Sequence, residues 1–139
     1  MFKPLHHAIS VPDAGASIVW YSEILGFRVL SDKVAAHLNA RQVMMEKDGF
    51  QLEIFQYLGE DGKPLPADRR DPNEDLKTCG TKHVAYAVDD LRGLTATLSA
   101  KGVTVVKGPV SNGADLLTFI LDNSGILIEL MEPGAASFS

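Results

Sequence analysis

The chain has 139 residues, 45% of them apolar and 22% charged, the size and balance of one compact domain with a proper core. Its formal net charge of −5 excludes the basic surfaces that nucleic acids and anionic membranes select. No apolar run has the length of a membrane span, the N-terminus lacks a signal-peptide layout, and the single cysteine, Cys79, has no internal disulfide partner, so a cytoplasmic location is expected.

Residues 5–11 alternate small or polar with apolar side chains, the period of a half-buried strand. Asp13 follows as a helix N-cap; Ala14, Ile18, Tyr21 and Leu25 recur at helical spacing, and Gly26 closes the helix. Strands are expected near 27–33, 36–45 and 50–57, with a tight turn at Lys47-Asp48-Gly49. The stretch 59–80 is rich in Pro, Gly and charge and reads as a linker with some character of a flap. A second strand then carries "KHVAYAVDD", a helix runs through Leu91, Leu94 and Leu98 to Gly102, and strands follow near 103–108, 115–121 and 126–131.

The second half repeats the first. Asp13 and Asp90 lie 77 positions apart, as do His6 and His83. Gly26 aligns with Gly102, and Glu53 aligns with Glu129. Four landmarks in one order at nearly one spacing indicate an internal duplication of a βαβββ unit. The expected organisation is therefore an α+β domain over 1–139, with module one at 1–58, a linker at 59–80, module two at 81–133 and a tail at 134–139.

Alternation decides which member of the His6-His7 pair is repeated. One face of the first strand carries His6, Ala8 and Ser10, and the matching face of the second copy carries His83, Ala85 and Ala87. Both histidines stand on faces kept small, whereas His7 shares the apolar face with Ile9 and Val11. In the closing strands Glu53 shares a face with Gln51, Phe55 and Tyr57, and Glu129 shares one with Leu127 and Met131. A carboxylate inside an apolar strand is costly unless it is paired or metal-bound. Singly, each reads as an edge charge; together, two histidines and two glutamates at equivalent places read as a convergent site.

The stretches "HHAISVPD…WYSEILGF", "KHVAYAVDDL" and "FILDNSGILIELME" resemble the vicinal oxygen chelate superfamily. That group includes glyoxalase I, methylmalonyl-CoA epimerase, fosfomycin resistance proteins, extradiol dioxygenases and bleomycin resistance proteins. The resemblance implies two tandem modules forming a U-shaped mixed sheet around a divalent metal (Ni, Co, Mn, Fe or Zn) held by His6, Glu53, His83 and Glu129. It implies a metal-dependent lyase or isomerase of a small oxygenated substrate, glyoxalase-like, working through a metal-stabilised enediolate. Glu129 would be the base and Glu53 the opposing ligand or second base. A homodimer is implied as well. An extradiol-type dioxygenase needing only His6, His83 and Glu129, or a metal-free drug-binding protein, are the alternatives.

Departures from the family pattern bear on substrate. Glyoxalase I holds glutathione with an arginine four residues past the first histidine, where this chain has Ser10, and with an asparagine four past the first glutamate, where it has Tyr57. Residues 34–45 lack the acid that the epimerase places there, and His37 is the nearest proton-transfer group. Ser10, His37, Phe55 and Tyr57 are thus the candidate substrate contacts. Lys33 and Arg41 are candidates for meeting an anion, Trp20 is expected in the core, and Cys79 is expected in a loop.

Overall fold

The computed structural model describes residues 1–138, which divide into two compact units, one of residues 1–64 and one beginning at Leu65. In the first unit the elements are β1 (His6–Ser10), α1 (Ala14–Leu25), β2 (Arg28–Ala35), β3 (Ala40–Lys47) and β4 (Phe50–Tyr57). The second unit repeats them as β5 (Val84–Ala87), α2 (Leu91–Ala100), β6 (Val105–Asn112), β7 (Asp115–Leu121) and β8 (Leu127–Glu132). Each unit is a four-stranded mixed sheet carrying one helix, with strand orders β1-β4-β3-β2 and β5-β8-β7-β6. The first strand of each unit runs parallel to the last, and the other pairings are antiparallel.

The duplication extends to register. Ala8 pairs with Glu53 in the first sheet, and Ala85 pairs with Glu129 in the second. Both helices start in the same way. Asp13 accepts from the Ala16 N–H and Asp90 from the Gly93 N–H, each at 3.1 Å. A side chain from the last strand takes the first free helical donor in each unit: Gln56 Oε1 accepts from Ala14 N, and Glu132 Oε1 from Leu91 N, both at 2.8 Å. Gly26 closes α1 in the left-handed conformation at φ 78°, where a side chain would be strained.

The core lies on the helix-facing side of each sheet. Leu52 and Ile54 of β4 are fully buried with Tyr21 of α1, and Ile128 and Leu130 of β8 with Leu91 and Leu98 of α2. In the second unit the other face also carries buried apolar side chains, Leu117, Phe119 and Leu127. The β3–β4 turn is the predicted one, with Asp48 and Gly49 both at positive φ, as a two-residue hairpin requires. At the β7–β8 turn, Asp122 Oδ1 accepts from Ser124 N and Ile126 N.

Two segments differ from the sequence expectation. Residues Ala36–Leu38 form a 3₁₀ turn, and β3 starts only at Ala40, because Asn39 takes a left-handed conformation that ends strand geometry. His37 is therefore an exposed turn residue and not part of a strand. In the stretch 59–80, residues from Leu65 onward fold with the second unit and carry 3₁₀ turns at Ala67–Arg70 and Asp75–Lys77.

Candidate metal centre and cavity

His6 opens β1, and its side chain shares a face with Ala8 and Ser10, all exposed, while His7 and Ile9 are half-buried on the other face. The parallel register puts Glu53 directly across from Ala8, so His6 and Glu53 meet on one face. Their Nε2 and Oε1 atoms lie 3.4 Å apart. Gln42, on β3, pairs with Phe55 two residues beyond Glu53 and therefore reaches Glu53 diagonally. Its amide Nε2 donates to Glu53 Oε2 at 2.6 Å.

The second unit builds an equivalent pair in different surroundings. His83 immediately precedes β5, and its Nε2 lies 2.7 Å from Glu129 Oε2. Glu129 is buried on a strand whose next neighbours, Ile128 and Leu130, are buried on the opposite side. Phe119, directly across from Glu129 in register, stands edge-on to the His83 ring at 5.0 Å. A cavity of about 460 Å³ opens over this pair. Leu76, Leu117 and Phe119 supply apolar walls, while Asn73, Lys107, Ser111 and Asn112 add polar groups.

One wall of that cavity comes from the stretch that composition marked as a linker. Asp75 is buried, with Lys82 Nζ 3.2 Å and Arg69 Nε 2.5 Å from its Oδ1. The Arg69 contact is one of charge, since its Nε–H does not point along a hydrogen bond. Arg69 Nη2 also donates to the Thr81 carbonyl at 2.7 Å, and Lys82 Nζ to the Thr78 carbonyl. This clamp fastens Pro72–Leu76 beside His83.

His7 lies apart from the site. It stacks on Phe50 at 5.2 Å with Nδ1 buried and lacking a hydrogen-bond partner among the described residues. Burial, with the neighbouring His6 second, holds its pKa below the ordinary value.

The candidate substrate contacts fare unequally. Ser10 and Phe55 are paired in register at the far end of the β1–β4 ladder, on the face of His6 and Glu53. The Tyr57 hydroxyl donates to Asp61 Oδ1 at 2.6 Å and is thereby held within its own loop. Arg41 is engaged by Asp32 through two hydrogen bonds of 2.9 and 2.7 Å, so its guanidinium is committed. Lys33 is exposed, Trp20 is half-buried against Tyr21, and Cys79 is exposed. Sequence reading missed Gln42 and the Asp75 clamp. The signal for Gln42 lay in the β3–β4 register, which follows from the two-residue turn; a charged, proline-rich stretch gives no comparable hint that one of its carboxylates is buried.

Adjacent donors around an ion bound at about 2.1 Å sit roughly 3 Å apart. The separations of 3.4 and 2.7 Å bracket that spacing, so each His–Glu pair fits half of a metal site. Within neither unit do the described residues gather three such donors.

The profile of the Glyoxalase/Bleomycin resistance protein/Dioxygenase superfamily matches residues 3–130. The chain belongs to this superfamily. YaeR of Escherichia coli K12 is 29% identical over 135 residues, covering 94% of this chain and 96% of that one. A lactoylglutathione lyase of Haemophilus influenzae is 29% identical over 134 residues, covering 92% and 90%. Among solved structures, a glyoxalase family protein from Enterococcus faecalis superposes with a TM-score of 0.77 at 24% identity, over 94% of this chain and 97% of that one. The profile match gives the superfamily, the structural likeness gives the α+β fold, and the chemistry is left to the site.

Proposed function

We propose that the protein is a metal-dependent lyase or isomerase of a small oxygenated substrate, with His6, Glu53, His83 and Glu129 holding one divalent ion. The observation that carries this reading is the recurrence of one His Nε2–carboxylate pair at register-equivalent places in both repeats. Two donors hold a catalytic ion poorly, and three or four hold it well. Both pairs therefore serve one ion, drawn together within a chain or between two chains of a homodimer. Imidazole and carboxylate donors without thiolate suit Ni, Co, Mn, Fe or Zn.

When bound, the ion supplies Lewis acidity toward substrate oxygens. The chain's residues do the rest. Glu129 takes a proton from the carbon next to the substrate carbonyl and returns it to the neighbouring carbon or oxygen. The apolar side chains of Leu117 and Phe119 keep water from competing for that proton. Lys107, Ser111 and Asn112 orient the polar end of the substrate. The relatives named lactoylglutathione lyase support a glyoxalase-type proton transfer. With Ser10 and the Asp61-bound Tyr57 at the positions of glutathione contacts, glutathione is not the group recognised.

The test is metal analysis of untagged protein, followed by solvent-deuterium exchange into small α-hydroxy ketones. Wild-type protein should carry about one ion per pair of His–Glu sets. Glu129→Gln should keep part of that metal while exchange falls by about 10²–10⁴-fold. Undiminished exchange in Glu129→Gln overturns the base assignment, and efficient glutathione-dependent formation of lactoylglutathione from methylglyoxal overturns the substrate argument.

A further inference from the structure

The duplication is broken at one position that bears on the chemistry. In the first unit Gln42 pairs with Phe55, two residues past Glu53. The register-equivalent residue in the second unit is Leu117, which pairs with Met131, two residues past Glu129. Gln42 donates to Glu53 Oε2 at 2.6 Å, leaving Oε1 alone toward His6. Leu117 has no donor to offer: Glu129 has His83 Nε2 at 2.7 Å from Oε2, and no amide from the neighbouring strand takes its other oxygen among the described residues. Directly across from the two glutamates stand Met44 and Phe119, neither of which supplies a hydrogen bond to a carboxylate.

We propose that Gln42 is a positioning residue that tethers Glu53 by one oxygen as the resident ligand, so that Glu129, untethered, is the carboxylate that moves. The inference rests on the metal-site reading above. The amide restricts Glu53 to one rotamer and occupies one of its oxygens, which lowers the entropic cost of presenting the other. Glu129 has no such partner and can leave its first position to reach a substrate carbon. The two copies of one unit thus divide the work, one holding and one transferring.

Calorimetric titration with Ni(II) alone tests this on purified wild type, Gln42→Met and Leu117→Gln. Gln42→Met keeps the volume and removes the donor; it should weaken Ni(II) binding about 10-fold or more, with thermal midpoint of the metal-free protein little changed. Leu117→Gln gives Glu129 the same tether and should hold Ni(II) at least as tightly as wild type, while deuterium exchange into α-hydroxy ketones slows by about 10-fold or more in kcat. Should Gln42→Met fail to fold, Gln42→Leu copies the residue the second unit already tolerates and carries the same expectation. Wild-type Ni(II) affinity in the Gln42 variant, or unslowed exchange in Leu117→Gln, overturns the division of labour. Absence of Ni(II) binding by wild-type protein overturns the metal-site reading beneath it.

Discussion

His6 and His7 are neighbours in sequence with opposite surroundings, and the difference predicts opposite roles. His6 faces Glu53 at 3.4 Å, whereas His7 stacks on Phe50. Replacing His83 with Ala deletes a proposed ligand and should sharply lower metal content. His7→Ala should leave metal content nearly unchanged and instead cost stability through the lost stack. Equal metal loss in the two variants, measured by elemental analysis, would show the wrong histidine had been chosen. That the two side chains face opposite ways was legible because strand alternation is strict: one step along the chain turns a side chain to the other face. Gln42 was not legible by that rule, since alternation assigns a face within one strand and says nothing about which strand lies beside it. The expected strand start at residue 36 fell short for another reason: Ala36–Leu38 close into a 3₁₀ turn ending at Asn39 in a left-handed conformation, which alternation cannot register.

At the scale of elements, the helix starts carry the most consequence per residue. Asp90 caps α2 from its own chain end, and Glu132 reaches across from β8 to the Leu91 N–H. Asp90→Ala should cost about 1 kcal/mol. Glu132→Leu strands a donor on a fully buried residue and should cost about 1–3 kcal/mol. Urea unfolding followed by circular dichroism reads both, and an unchanged midpoint in Glu132→Leu would show that water serves Leu91 instead. The Asp caps were plain in the sequence as residues heading periodic segments. Gln56 and Glu132 stood 76 positions apart, in step with the duplication, yet only the parallel pairing of first and last strands brings them to the helix ends.

The β2–β3 hairpin holds a second electrostatic feature with a worked pH dependence. Hydrogen bonding from Arg41, ahead of its charge, keeps the Asp32 carboxyl below its ordinary pKa. The folded state therefore binds that proton less readily than the unfolded chain. The stabilisation is fully present above the unfolded carboxylate value of about 3.9 and is lost as pH falls through the lower folded value. Both side chains are about one-third exposed, so the pair contributes under about 1 kcal/mol. Arg41→Met should thus melt slightly earlier than wild type at pH 7, and the gap should close below about pH 4. A gap that persists or widens in acid would mean that the aliphatic stem of Arg41, and not its charge, supports the hairpin.

For the whole molecule, the unpaired edge of the first sheet argues for a second copy. β2 ends the order β1-β4-β3-β2, and seven of its eight residues are exposed. Val29 and Leu30 are each 43% exposed and Val34 65%, an apolar display on a strand with free backbone donors and acceptors. Natural proteins blunt such edges or cover them. Arg28 and Lys33 provide some blunting, but Val34 lies between Lys33 and the hairpin turn with nothing over it. The expectation is a homodimer that would cover this edge and, under the metal-site proposal, would let a His–Glu pair of one copy complete the pair of another. Light scattering at micromolar concentration should give twice the 15.0 kDa chain mass. Val34→Lys places a charge where partners would pack; if β2 is the contact, it should shift the population toward monomer and, where the metal site spans two chains, lower metal content in parallel. Monomer mass for the wild type sinks the dimer, and a Val34→Lys protein that stays dimeric moves the contact to another edge.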